Sequence, residues 1–187
     1  MGAIVRTIDK EKIMVATRMF LEAIGEDPED ERLKRTPERV VKFWEEFLNQ
    51  GGGDIRVFEE KHNGLVVIKD IPFFSICEHH LLPFYGTAAV GYIPRGKVIG
   101  LSKVVRIVTR FASKPQLQER LTDQIADYLW NTLKPLGVIV VTKALHFCMA
   151  MRRLGDQTTQ TVVAALRGKF YDDAALRAEV YNLLKMR

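Results

Sequence analysis

Cysteine and histidine are scarce in this chain, with two and four residues in 187. Two cysteines exclude a small scaffold stapled by disulfides. No apolar run reaches the roughly 18 residues of a membrane span. The N-terminal stretch Met1 to Arg6 lacks the apolar core of a secretory signal. The expected address is therefore the cytoplasm, where thiols stay reduced and free to bind metal. Internal repeats and low-complexity tracts are absent too. What is there is an ordinary globular composition, 47% apolar and 27% charged. The length fits one domain with a small appendage.

The scarce residues are not scattered. Cys77, His79 and His80 lie within Ser75-Ile76-Cys77-Glu78-His79-His80-Leu81-Leu82-Pro83, and His146 lies two positions before Cys148. Only His62 falls outside these clusters. Thiolate and imidazole are the ligands of a borderline-soft metal, above all Zn²⁺. Cys77 and His80 can be presented by one turn, and Cys148 can close the site from a distant strand. Three protein ligands are the number of a catalytic zinc with an open position. Other readings stay open on spacing alone. The cysteines, 71 positions apart, could form a disulfide or be inert core thiols. They could also belong to a closed structural zinc site with a fourth ligand.

The formal net charge is +5. Between Arg95 and Arg120 seven basic residues face one acid, Glu119. Such a segment suits a polyanion: nucleic acid, a membrane surface or a phosphorylated metabolite.

Periodicity predicts a first helix capped by Asp9 and running to about Ile24. Its expected buried stripe is Ile13, Ala16, Met19, Phe20, Ala23 and Ile24. Thr36 is expected to cap a second helix with Pro37 at its first position. Its apolar face is Val40, Trp44, Phe47 and Leu48, with Arg39 and Lys42 together on another side. Leu65 to Ile71 reads as a strand stopped by Pro72, and Phe84 to Ile93 as a second. Helices are expected over Ser102 to about Phe111 and Gln116 to about Lys134. A long strand from Val138 to about Met151 would place His146, Cys148 and Arg152 on one face. Thr158 to Arg167 reads as its antiparallel partner, and Asp173 to Lys185 as a last helix. The sum is an α+β protein with a mostly antiparallel sheet and two central helices on one face.

Four blocks in this order resemble GTP cyclohydrolase I. They are Ser75 to His80; Gly100-Leu101-Ser102-Lys103 with Arg106; Pro115 to Thr122; and His146-Phe147-Cys148-Met149 with Arg152. The resemblance runs from Thr36-Pro37-Glu38-Arg39 to the last helix. It implies a tunnelling fold: an antiparallel four-stranded sheet with two helices on one face, plus N-terminal helices. The expected division is an N-terminal helical region over 1–53 and a catalytic domain over 54–187. It implies a homodecamer with active sites between subunits, no nucleic-acid partner and no membrane. The implied reaction converts GTP and water to 7,8-dihydroneopterin triphosphate and formate, the entry to pterin and folate synthesis.

Carried over residue by residue, Cys77, His80 and Cys148 would hold Zn²⁺. His79, His146 and Ser102 would be catalytic. Glu119 would grip guanine, helped by Gln118. Lys103, Arg106, Arg152, Arg39 and Lys42 would bind the triphosphate. A carboxylate suits guanine because N1–H and the 2-amino group are two adjacent donors. The chain departs from the family pattern at Arg153, where glycine is usual, at Lys114, where arginine is usual, and in the looser run Gln157 to Thr161. Two other readings remain: a related zinc hydrolase that stops after ring opening, and a non-catalytic nucleic-acid-binding module with a structural zinc.

Overall fold

The computed structural model describes residues 6–152, 154 and 158–186. Arg153 and Gln157, two positions of departure, lie outside the described residues. The described chain forms two compact units that divide between Gln50 and Gly51.

The first unit is a pair of packed helices, α1 (Lys10–Ala23) and α2 (Thr36–Leu48). Asp9 caps α1 as expected, its Oδ1 accepting from the Lys12 N–H at 3.0 Å. The expected stripe of α1 is not buried. Leu21 alone is buried on this helix, while Met19, Phe20 and Ile24 are more than half exposed. A two-helix unit has only one neighbouring surface to offer, and α2 covers a narrower strip than the periodicity implies. In α2, Thr36 is already helical, Arg35 holds the cap position without a side-chain bond, and Pro37 lies in the first turn. Val41 and Phe47 are buried there, and Val40, Trp44 and Leu48 only half-buried.

The second unit mixes helices and sheet. Its strands are β1 (Val57–Glu59), β2 (Val66–Cys77), β3 (Pro83–Ile93), β4 (Lys97–Ile99), β5 (Pro115–Gln116), β6 (Gly137–His146) and β7 (Gln160–Gly168). β1 and β4 form a separate two-stranded sheet. The main sheet has the order β5-β2-β3-β6-β7. Its β2-β3-β6-β7 part is antiparallel throughout, as expected. The fifth strand was not expected: β5 adds a short parallel edge to the end of β2.

The helices are α3 (Leu101–Ala112), α4 (Gln118–Leu133), α5 (Phe147–Ala150), α6 (Lys169–Asp172) and α7 (Ala174–Lys185). α3 and α4 cover one sheet face. Val104, Ile107, Val108, Leu121, Ile125 and Leu129 are fully buried against Phe84, Val90, Val138 and Val140. Burial of each such side chain is worth about 1.5–3 kcal/mol. The other face is packed by Phe170 of α6 and Val180 of α7 against Ile93 and Ile139. Arg167 of β7 fastens α4 to the sheet through Asp123 and Asp127 at 2.8 and 2.7 Å.

Pro72 does not end β2, which runs six residues beyond Ile71 to Cys77. The register shifts between Ile68 and Ile71, with Asp70 at φ 56°, and pairing resumes at Ile71↔Ala88. A proline is tolerated beside such a bulge on a strand whose outer edge is free at that level; β5 joins only at Ile76 and Cys77.

Gly86 pairs with Ala144 across β3 and β6. A Cβ there would overlap the Lys143 carbonyl oxygen and sit 2.7 Å from Ala144 Cα. Both obstacles are backbone and cannot swing away. Gly86→Ala is therefore expected to cost about 1–3 kcal/mol or more, seen as a lowered thermal unfolding midpoint.

Candidate metal centre and active site

β2 and β3 form a hairpin whose last cross-strand pair is Ile76↔Pro83. Its loop is closed by two backbone bonds, Leu81 N–H to Cys77 O and Cys77 N–H to Leu82 O, both 2.8 Å. Leu81 takes φ 53°, a left-handed conformation costly for a branched side chain. The tight loop leaves Cys77 buried and presents His79 and His80 outward. Cys77 Sγ lies 3.9 Å from His80 Nδ1.

β6 ends at His146, opposite Phe84 near the start of β3. The expected strand to Met151 is thus cut short, because the ladder has almost no partner left. The chain turns into α5, with Met151 N–H bonded to Phe147 O at 2.9 Å. His146, Cys148 and Arg152 do not share a strand face. The helical turn instead carries Cys148 back to the hairpin. The donor atoms of Cys77, His80 and Cys148 all lie within 4.8 Å of one another. Arg152 Nε donates to Cys148 O at 2.7 Å.

Two buried thiols beside an imidazole fit a zinc ion. Burial pushes the Cys148 thiol up, and neighbouring Cys77 adds to the effect, while Arg152 opposes it. A thiol so placed resists ionising unless a cation shares the site, and a metal there would favour its thiolate.

The unexpected strand β5 ties this loop to the start of α4. Cys77 pairs with Gln116, and Glu78 N–H bonds to Gln116 O at 3.1 Å. Arg120, in the first turn of α4, forms an ion pair with Glu78 through Nη1 and Nη2, and its Nε donates to Gln116 Oε1 at 2.8 Å. Gln116 Nε2 and Lys114 Nζ both donate to Gln124 Oε1. Sequence reasoning missed this chain of contacts. Glu78 and Arg120 are 42 positions apart, and nothing in either motif announces the pair.

His146 packs flat on Phe84, with centroids 4.6 Å apart and planes 5° apart. Its Nε2 lies 2.8 Å from Gln118 Oε1. Burial lowers its pKa, and Glu119 pulls the other way. Glu119 itself is exposed at the start of α4. Gln118 has the opposite exposure. Its side-chain amide is consumed by Thr142 O at 3.2 Å, Thr142 Oγ1 at 3.1 Å and Thr161 O at 3.1 Å, so neither N–H is free for a base.

Ser102 and Lys103 stand in the first turn of α3, with Arg106 one turn further on. Lys103 is half-buried, and Ser102 and Arg106 are exposed. Arg106 Nη1 is 3.5 Å from Gly52 O. Other members of the basic segment have internal duties. Arg110 holds Gly51 O and Gly53 O at 3.2 and 2.8 Å, and Arg120 holds Glu78. Arg39 and Lys42 are exposed on α2 of the first unit.

Residues 13–185 match the sequence model of the family GTP cyclohydrolase I. The "GTP cyclohydrolase 1" of Aquifex aeolicus is 53% identical over 180 residues, which cover 95% of this chain and 98% of that one. The protein of the same name from Carboxydothermus hydrogenoformans is 54% identical over 183 residues, covering 95% of each. That from Halalkalibacterium halodurans is 55% identical over 184 residues, covering 95% and 98%.

Two outcomes follow from this geometry. If three donors hold the ion, Cys148→Ser should lose zinc, since serine stays protonated at neutral pH. His146→Ala should keep about one zinc per chain after dialysis, as metal analysis will read. The Glu78 carboxyl is held below the usual carboxylate range, first by its hydrogen bond with Arg120. Its folded pKa is below its unfolded one, so the pair's contribution is complete above the ordinary glutamate range and fades as pH falls through the folded value. The gap in urea midpoint between the wild type and Glu78→Gln should thus be present at neutral pH and close on acidification.

Proposed function

Because the chain belongs to the GTP cyclohydrolase I family, we propose that it is a zinc-dependent hydrolase that converts GTP and water to 7,8-dihydroneopterin triphosphate and formate. One observation carries the zinc part of the proposal: Cys77, His80 and Cys148 converge from two distant segments, beside the helix start that bears Glu119. When bound there, zinc supplies the Lewis acidity that makes water a nucleophile near neutral pH.

The chain's own residues do the rest. Glu119 accepts guanine N1–H and the 2-amino group, a pair that adenine does not present. Water adds at C8, the C8–N7 π bond breaks, and the electrons arriving at N7 need a proton. His146 holds that proton. His79, exposed on the ligand loop, and Ser102 are the proton carriers for ring opening, loss of C8 as formate, ribose rearrangement and reclosure. A triphosphate carries about four negative charges, and Lys103, Arg106 and Arg152 are the cations assigned to it. Arg39 and Lys42 belong to the same proposal on the strength of the resemblance.

We assign the second unit to the tunnelling fold. The antiparallel order β2-β3-β6-β7 with α3 and α4 on one face supports that reading. Assembly into a homodecamer is also proposed. Its support is the apolar surface left open on a single chain, with Val15, Met19 and Phe20 of α1 and Ile24 at its end all more than half exposed. No helix among the described residues is long and apolar enough to cross a membrane; cytoplasmic residence stays part of the proposal.

Incubation with GTP should yield formate together with the near-ultraviolet absorbance of a dihydropterin. Formate without the pterin would mean that the reaction stops after ring opening. Glu119→Gln should abolish turnover while the protein keeps its zinc. The swap sets a donor against a donor in the guanine pocket, at a cost of about 1–3 kcal/mol or more. Normal turnover by Glu119→Gln would remove Glu119 as the guanine anchor.

A further inference from the structure

Gln118 is the first residue of α4, and its side chain is only 2% exposed. Partners of fixed character decide which way its amide points. The carbonyl oxygens of Thr142 and Thr161 can only accept, so the amide nitrogen must face them, at 3.2 and 3.1 Å. That leaves Oε1 as the atom 2.8 Å from His146 Nε2. Oε1 can only accept as well. The hydrogen between them therefore belongs to Nε2.

The surrounding hydroxyls agree with this assignment. Thr122 Oγ1 donates to Gln118 O at 2.7 Å. Its one hydrogen is spent there, so the 2.7 Å contact with Thr142 Oγ1 uses the Thr142 hydrogen. Thr142 Oγ1 is then free to accept from Gln118 Nε2 at 3.1 Å. The two Gln118 N–H groups are shared among Thr142 O, Thr142 Oγ1 and Thr161 O, and the cluster ends on the imidazole. Phe84, stacked on that ring at 4.6 Å, holds its plane. A half-turn of the ring would set Cε1 against Oε1 and lose the bond.

We propose that Gln118 is the positioning residue that locks His146 with its hydrogen on Nε2, leaving Nδ1 as the ring nitrogen that serves the substrate, and that the Gln118 side chain does not bind guanine. The part concerning substrate rests on the GTP reading above. In that reaction the water oxygen bonds to C8 and gives up a proton to Nδ1, the C8–N7 π electrons move to N7, and Nδ1 passes that same proton on to N7. The Nε2–H stays on Gln118 throughout. The start of α4 thereby divides its labour: Glu119 faces outward to the base, and Gln118 faces inward to the proton donor.

The test uses zinc-loaded protein with ¹⁵N-labelled histidine, with the His146 signals assigned by their loss in His146→Asn. Near pH 8, above the ordinary histidine range of about 6.5, Nε2 should carry hydrogen and Nδ1 should be bare. The opposite tautomer, or a mixture of the two, overturns the proposal. Gln118→Met keeps the length of the side chain and removes its polar atoms. It should abolish the single-tautomer signature and lower kcat by about 10–10³-fold. Zinc content should hold, and KM for GTP should stay within about threefold, well short of the roughly tenfold that losing a bond worth 1.4 kcal/mol would cause. A tenfold or greater rise in KM with the tautomer kept would make Gln118 a guanine contact and overturn the proposal. The wild-type spectrum decides alone if Gln118→Met does not fold. It also judges the lock should the wild type prove inert toward GTP, a result that would sink the catalytic reading and leave the lock standing.

Discussion

The site depends on one register. β3 and β6 pair from Phe84↔His146 to Ile93↔Gly137, and this ladder brings two scarce clusters to the same end of the sheet. Side chains on a strand alternate, so a slip by one residue would turn every β6 side chain to the other face. In the register found, Val138, Val140, Thr142 and Ala144 are buried beneath α3 and α4. His146 has the same parity and points to the same side. The apolar residues of β6 therefore set the orientation of the imidazole: any register that buried them would aim His146 at α4, where Gln118 meets it.

Burying Gln118, Thr122 and Thr142 beside that imidazole carries a risk. A polar group removed from water without a partner costs roughly 1–3 kcal/mol. Among the described residues no buried side-chain nitrogen or oxygen lacks a partner. A network so fully paired tolerates few alternatives, because moving one member strands another. Rigidity at the start of α4 is thus a by-product of satisfaction. The ion pair of Glu78 with Arg120 extends the constraint from α4 to the loop that carries Cys77 and His80. Cys77, His80 and His146 are positioned from one helix end, although they come from different segments.

Much of this was legible in the chain. The helical and strand periods located most elements, because burial on one face leaves a strong imprint. The scarcity of cysteine and histidine marked the Cys77-His80-Cys148 group, which the fold brings together. Local patterns failed where tertiary context intervened. Pro72 reads as a stop, yet a bulge and a free edge carry β2 past it. Phe147 to Met151 reads as strand, yet the partner strand runs out at Phe84. Gln118 reads as a companion of Glu119, because a motif gives neighbours but not directions. Consecutive residues of a helix point in different directions, and only the sheet beneath decides which of them faces inward. The basic segment was legible as charge alone; that Arg110 and Arg120 spend theirs inside the unit depends on loops far away in sequence.

The remaining feature is exposure. His79, His80, Ser102, Glu119, Arg106 and Arg152 are all open to solvent on a single chain, and water weakens every electrostatic contact that such groups make. Grip on a base and a triphosphate calls for a drier setting. Close by, Phe74, Tyr85 and Phe147 form a ladder of stacked rings across three adjacent segments, with centroids 5.6 and 5.9 Å apart. Phe74 is 65% exposed, an unusual cost for a ring packed on its neighbour. Phe74 and Tyr85 alternate with the buried Phe73 and Phe84, so this ladder faces away from α3 and α4. In the proposed assembly a neighbouring subunit would cover the polar cluster from its own side, which gives a reason for that cluster to lie at the end of the sheet, where a single chain cannot enclose it.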